Sequence, residues 1–152
     1  NHQFLRKEQL WKEFVEREQA HVAWVSTGFA VAGQRQDKAI VISMHSDVFN
    51  AMGELDGGPF FAIRKAIADG ASQFPGQVLV VHGHEHKFII DKPLRTWDDA
   101  NTSTVHDNVT RLQVYGWPDL KAVIVSVDTS KPLVFGFEPL YGDDNLSPAF
   151  KD

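Results

Sequence analysis

The chain reads as an α/β domain built on a mixed β-sheet. Three observations carry this reading. The elements run helix, strand, helix, strand, and then strands alone, an order that pairs helical and sheet layers. Two aliphatic runs, Ile40-Val41-Ile42 and Val78-Leu79-Val80-Val81, are short and bounded by turn residues, as buried strands are. Hydrophobic residues make up 43% and charged residues 23%, the balance of a chain that folds around a core. At 152 residues it is one domain or part of one.

The elements follow in order. Residues 4–32 form a helix, because Phe4, Trp11, Phe14, Val15, Val22, Val25 and Phe29 recur at the spacing of one apolar face. Charged residues supply the other face, with Glu13 and Arg17 at the favourable i, i+4 spacing, and Gly33 is the expected stop. A polar loop, 34–38, leads to a strand over 39–44 that ends at His45. Residues 46–59 are irregular and contain the turn signal Asp56-Gly57-Gly58-Pro59. A second amphipathic helix spans Phe60 to Asp69 and closes at Gly70. Pro75-Gly76 turns the chain into strand 78–81, and Lys87 to Asp91 forms another. Residues 96–108 are polar and predict a loop without structure, a length that often carries function. Strands follow over 110–115, 122–128 and 133–138, with Val123, Val125 and Val127 on one face. Asp128 to Pro132 is a turn, and 141–152 reads as a tail.

Charge and composition narrow the function. Fifteen Lys and Arg against twenty Asp and Glu give a net charge of −5, without the basic footprint that nucleic acid or an anionic membrane surface requires. There is no cysteine, which excludes disulfides, thiolate metal sites and a cysteine nucleophile. No apolar run approaches the roughly 20 residues of a membrane span, and no signal peptide is visible. The sequence opens on Asn1 rather than Met, as a processed product or a fragment would.

Chemistry concentrates in Val80-Val81-His82-Gly83-His84-Glu85-His86. If the backbone stays extended, His84 and His86 point the same way, with Cα atoms roughly 6.5–7 Å apart. That spread suits two ligands converging on one metal, or on two metals about 3.5–4 Å apart. The competing reading is a pair of surface histidines in a turn. The strand, Gly83 and His82 favour metal, since imidazole is the commonest neutral metal ligand. His45 ends the other aliphatic run, and open sheets place ligands beyond the carboxyl ends of their strands. His82 reads as a packed or supporting residue, and Glu85 as a solvated one. Asp47 is either a supporting carboxylate or a turn cap. His106 sits among Asp98, Asp99 and Asp107 and reads as an exposed loop residue. His21, near the apolar face of the long helix, reads as structural. Phe49, Phe88 and Trp97 read as core or rim packing.

These residues carry a resemblance. Ile40-Val41-Ile42-Ser43-Met44-His45 and Val80-Val81-His82-Gly83-His84-Glu85-His86, in this order, are similar to the C-terminal half of the calcineurin-like metallophosphoesterases. The resemblance extends over about residues 8–140, with a helix before the first motif, one between the two, and strands after. It implies a four-layer α/β/β/α sandwich around two divalent ions, Mn, Fe or Zn. His45 and His84 would ligate one ion and His86 the other, for hydrolysis of a phosphoester. The family's N-terminal motifs, Asp-X-His, Gly-Asp with a further Asp, and Gly-Asn-His followed by Asp or Glu, are not present whole. Asn1-His2 matches part of the last, but Gln3 stands where its acidic residue belongs. The chain therefore reads as residues 1–152 of a C-terminal half, weakly active or inactive alone, expected to associate with a missing N-terminal half or with another copy. Two other functions stay open: a mononuclear zinc hydrolase using three histidines, and a metal-free binding or structural module with remnant histidines.

Overall fold

The computed structural model describes residues 2–49, 60–97 and 103–142, with side chains from Arg6 onward and without that of Trp97. The turn at 56–59, Asp98 and Asp99, most of the tail and the side chains of His2 and Phe4 lie outside that description. The molecule is a mixed α/β structure, and its main sheet is mixed as well.

Helix α1 (His2–Gln34) runs for 33 residues, about 50 Å. Its end departs from the expected stop at Gly33. Gln36 takes a left-handed conformation at φ 57°. Its N–H donates to the Gly33 carbonyl (3.1 Å) and the Asp37 N–H to the Ala32 carbonyl (2.9 Å). This is a Schellman close with glutamine in the place glycine usually fills. Among the described residues, α1 joins the core through its C-terminal half, by Val25, Phe29 and Ala32, with Val22 packed beside them. Leu10, Trp11 and Phe14 are exposed, and so is His21, which therefore has no structural role in the core.

Strand β1 (Ala39–Ser43) follows, then helix α2 (Phe61–Gln73) and strand β2 (Gln77–His82). β1 and β2 pair in parallel from Ala39↔Gln77 to Ser43↔Val81, with α2 as the crossover. Gly70 does not stop α2; the helix continues for three residues. It is glycine because Phe29 of α1 occupies the space a Cβ would need. After β2 come β3 (Ile89–Asp91), β4 (Arg95–Trp97), β5 (Ser103–Val105) and β6 (Val109–Gln113). β6 pairs in parallel with β2 and antiparallel with β3, giving the sheet order β1-β2-β6-β3. The polar stretch 96–108 is thus not structureless: β4 and β5 pair as a small antiparallel ladder within it. β7 (Lys121–Val127) and β8 (Phe135–Tyr141) form a separate two-stranded sheet. That strand continues into the segment read as a tail.

One face of the main sheet carries Ile40, Ile42, Val78, Val80 and Val109, packed with Ile63, Ala66, Ile67, Ala71 and Phe74 of α2 and its end. The other face carries Val41, Leu79, Val81, Leu112 and Ile90, of which Leu79 and Leu112 are fully buried. The end of α2 is held from across the fold. The Asn108 amide donates to the carbonyls of Ala71 (3.0 Å), Phe74 (3.1 Å) and Gly76 (3.2 Å), groups a helix end leaves without partners.

Two glycine substitutions separate packing from propensity. Gly70→Ala forces Phe29 to move and is expected to cost about 1–3 kcal/mol. Gly33→Ala meets nothing within 4 Å and is expected to gain roughly 0.5–1 kcal/mol. Urea unfolding of both variants checks the contrast, which equal effects of one sign would contradict.

Candidate metal centre

Parallel strands send their carboxyl ends to the same edge of a sheet. β1 therefore delivers His45 beside the turn that follows β2. The ladder continues past both strands: Met44 N–H donates to the Val81 carbonyl (3.0 Å) and Gly83 N–H to the His45 carbonyl (3.2 Å). The rings of His45 and His84 stand with centroids 5.5 Å apart, tilted by 40°. Both residues are exposed.

The backbone after Gly83 is not extended, which corrects the expectation that His84 and His86 point the same way. Glu85 N–H donates back to the Gly83 carbonyl (3.0 Å). His84 and His86 both take positive φ, 76° and 55°. Left-handed residues other than glycine cost of order 1–3 kcal/mol each and concentrate at functional sites. The two imidazoles make different contacts. His84 goes to His45, whereas the His86 Nδ1–H donates to the Trp117 carbonyl at 2.6 Å. Its ring lies where a Cβ on Gly116 would stand, so that position admits only glycine in this arrangement. Bonding through Nδ1 leaves Nε2 as the ring nitrogen that could meet a metal, the arrangement usual for a metal-binding histidine. Among the described residues, no three His, Cys, Asp or Glu side chains converge as a ready metal cluster.

Beneath these histidines lies a buried polar network. His82 is 1% exposed and bonds through Nδ1 to the Gly83 carbonyl (3.1 Å). Among the described residues its Nε2 has no hydrogen-bond partner, and it faces Asp47 Oδ1 at 3.6 Å. Asp47 also accepts the Phe49 N–H (2.7 Å), so it caps the turn after β1. Its second oxygen faces the Arg111 guanidinium at 3.8 Å. Arg111 reaches the other way to Asp91, donating from Nε at 2.7 Å and from a second nitrogen as well, and lies over the Phe49 ring. Phe49 is core, as expected, and Phe88 stacks on Tyr115. Glu85 is exposed, as expected. Arg111 and Asp91 carry no motif; their only signal in sequence is a charge placed within an otherwise strand-like pattern.

His106 corrects another expectation. It is buried, with Nε2 3.2 Å from the Thr96 hydroxyl and its backbone N–H on the Leu94 carbonyl. The β4–β5 ladder draws it inward. Burial holds its pKa below the usual imidazole value, against the opposing charge of Asp69.

Two outcomes follow. Asp47→Ala leaves His82 and Arg111 facing an empty buried position and is expected to cost roughly 3 kcal/mol in chemical unfolding. His106 binds its proton more weakly folded than unfolded, so it lowers stability as pH falls below about 6.5. Stability measured between pH 7.5 and 5 should fall less steeply in His106→Gln; an unchanged slope would contradict this. No protein-family model, curated protein or solved structure matches the chain, so the reading of this centre rests on its own residues.

Proposed function

We propose that this chain is the C-terminal half of a metallophosphoesterase-like α/β/β/α sandwich and supplies His45, His84 and His86 as metal ligands for phosphoester hydrolysis by the parent protein. The observation that carries the reading is the His45–His84 pair at the carboxyl ends of two adjacent parallel strands. The donor set fits a divalent ion. With metal–nitrogen distances of about 2.0–2.1 Å, two imidazoles on one ion stand with ring centroids about 5–6 Å apart, against 5.5 Å here. When bound, such ions supply Lewis acidity and an activated water to a phosphoester. The chain's part is to place imidazoles: His84 beside His45, and His86 held through Nδ1 with Nε2 free.

The remaining ligands belong to another polypeptide segment. Neutral imidazoles alone do not satisfy Mn or Fe, which favour carboxylate oxygens, and Asp47 and Asp91 are engaged with Arg111. The exposed Leu10, Trp11 and Phe14 support this incompleteness. A missing half that packs on α1 would cover these side chains.

Metal titration tests the reading. The chain purified without chelator should bind Zn²⁺ by calorimetry, with affinity lowered about tenfold or more by His84→Ala and left unchanged by His21→Ala. Turnover of p-nitrophenyl phosphate by the chain alone should be weak or absent. Absence of binding in the parent chain would instead favour a metal-free module with remnant histidines.

A further inference from the structure

Upstream of β3 the chain keeps to the track of β6. Ile89 pairs with Gln113 in the antiparallel β3–β6 ladder, and just before it Phe88 stacks on Tyr115 with ring centroids 4.9 Å apart. The next contact on this track is His86 with Gly116 and Trp117. Two hydrogen bonds tie the histidine turn to β6 on either side of that contact. The Val114 N–H donates to the His82 carbonyl (2.9 Å), and the buried Gln113 amide donates to the Lys87 carbonyl (2.8 Å). The backbone around His86 is therefore placed before its ring makes any bond.

The ring then meets a shaped seat. Residues 116–119 form a turn closed by the Asp119 N–H on the Gly116 carbonyl (2.9 Å). That bond occupies the Gly116 carbonyl and leaves the Trp117 carbonyl to accept from His86 Nδ1 (2.6 Å). A Cβ on Gly116 would overlap Cγ, Cδ2 and Nε2 of the ring. The backbone does not otherwise demand glycine, because φ at Gly116 is outside the left-handed region. Core burial does not demand it either, because His86 is exposed. Among the described residues, no hydrogen bond holds the ring of His45 or His84, which meet only each other.

We propose that Gly116 is a positioning residue for His86. It lets the imidazole sit on the Trp117 carbonyl, so that the neutral ring carries its proton on Nδ1 and keeps Nε2 for a metal. A carbonyl oxygen only accepts, so the bond requires hydrogen on Nδ1. A partner of this kind on the far nitrogen orients a metal-binding histidine and sets its tautomer. His86 is thus oriented in the metal-free chain, whereas His45 and His84 are not held in this way. The role as a positioner rests on the reading of His86 as a ligand; the tautomer does not.

Proton–nitrogen NMR of the metal-free full chain reads the tautomer directly. At about pH 8.5, above the ordinary imidazole value of about 6.5, the neutral rings are observed. The His86 signals are assigned by their loss in His86→Ala. His86 should favour Nδ1–H over Nε2–H by about fivefold or more. Gly116→Ala should remove that preference, with unchanged circular dichroism and unchanged His45 and His84 signals. Added Zn²⁺ should perturb His86 in the parent chain at a concentration about tenfold or more below that needed in Gly116→Ala. His86 chiefly as Nε2–H in the parent, an Nδ1–H preference that survives Gly116→Ala, or an equal Zn²⁺ response in both chains would each overturn the proposal. Zn²⁺ that perturbs His45 and His84 but never His86 overturns this inference and leaves the His45–His84 pair standing. Zn²⁺ that perturbs none of the three overturns the metal reading, and the positioning role with it. The parent tautomer needs no variant, so the outcome does not hang on the folding of Gly116→Ala.

Discussion

The parallel pairing of β1 with β2 is the constraint on which this end of the molecule depends. Five registered pairs align the strands, and two further hydrogen bonds carry the alignment to His45 and Gly83. An antiparallel pair would have placed His45 and the His84 turn at opposite ends of the sheet. Parallel pairing requires a crossover, and α2 supplies it. The packing of α2 therefore acts on the histidines at a distance: Phe29 fits against Gly70, and Asn108 holds the helix end. A residue far from the site, such as Gly70, matters to it by this route.

A polar floor fixes the turns that the strands release. Asp47 caps the bend after β1 and faces both His82 of β2 and Arg111 of β6. Three parallel strands are thereby tied at the level where the candidate ligands begin. Apolar side chains of similar volume often give equal or greater stability. They would lack the directionality by which one carboxylate sets the positions of a ring, a guanidinium and a backbone N–H. The Nε2 of His82, unpartnered among the described residues, is the cost of that arrangement, a buried polar atom left without a hydrogen bond.

The parts legible in sequence were those with strong local signals. Aliphatic runs ending in histidine gave β1, β2 and the neighbourhood of His45 and His84, and apolar periodicity gave both helices. Other features depend on contacts no local pattern encodes. Gly70 looks like a helix stop and is instead a packing glycine, because Phe29 arrives from 41 residues away in sequence. Gln36 closes α1 in a conformation its residue type does not announce. His84 and His86 meet different partners because the chain turns left-handed at two histidines, where alternation assumed a strand. His106 appeared exposed in a polar segment, yet three-residue strands too short for periodicity carry it inward.

Lengths explain why the apolar surface is unevenly satisfied. α1 is about 50 Å long, whereas α2, with 13 residues, is about 20 Å and β1, with five, about 17 Å. Among the described residues, core packing on α1 accordingly begins near Val22. Periodicity shows which face of a helix is apolar but says nothing of how far its cover extends. Leu10, Trp11 and Phe14 on the outer half of α1 are, among the described residues, left exposed by this difference in length.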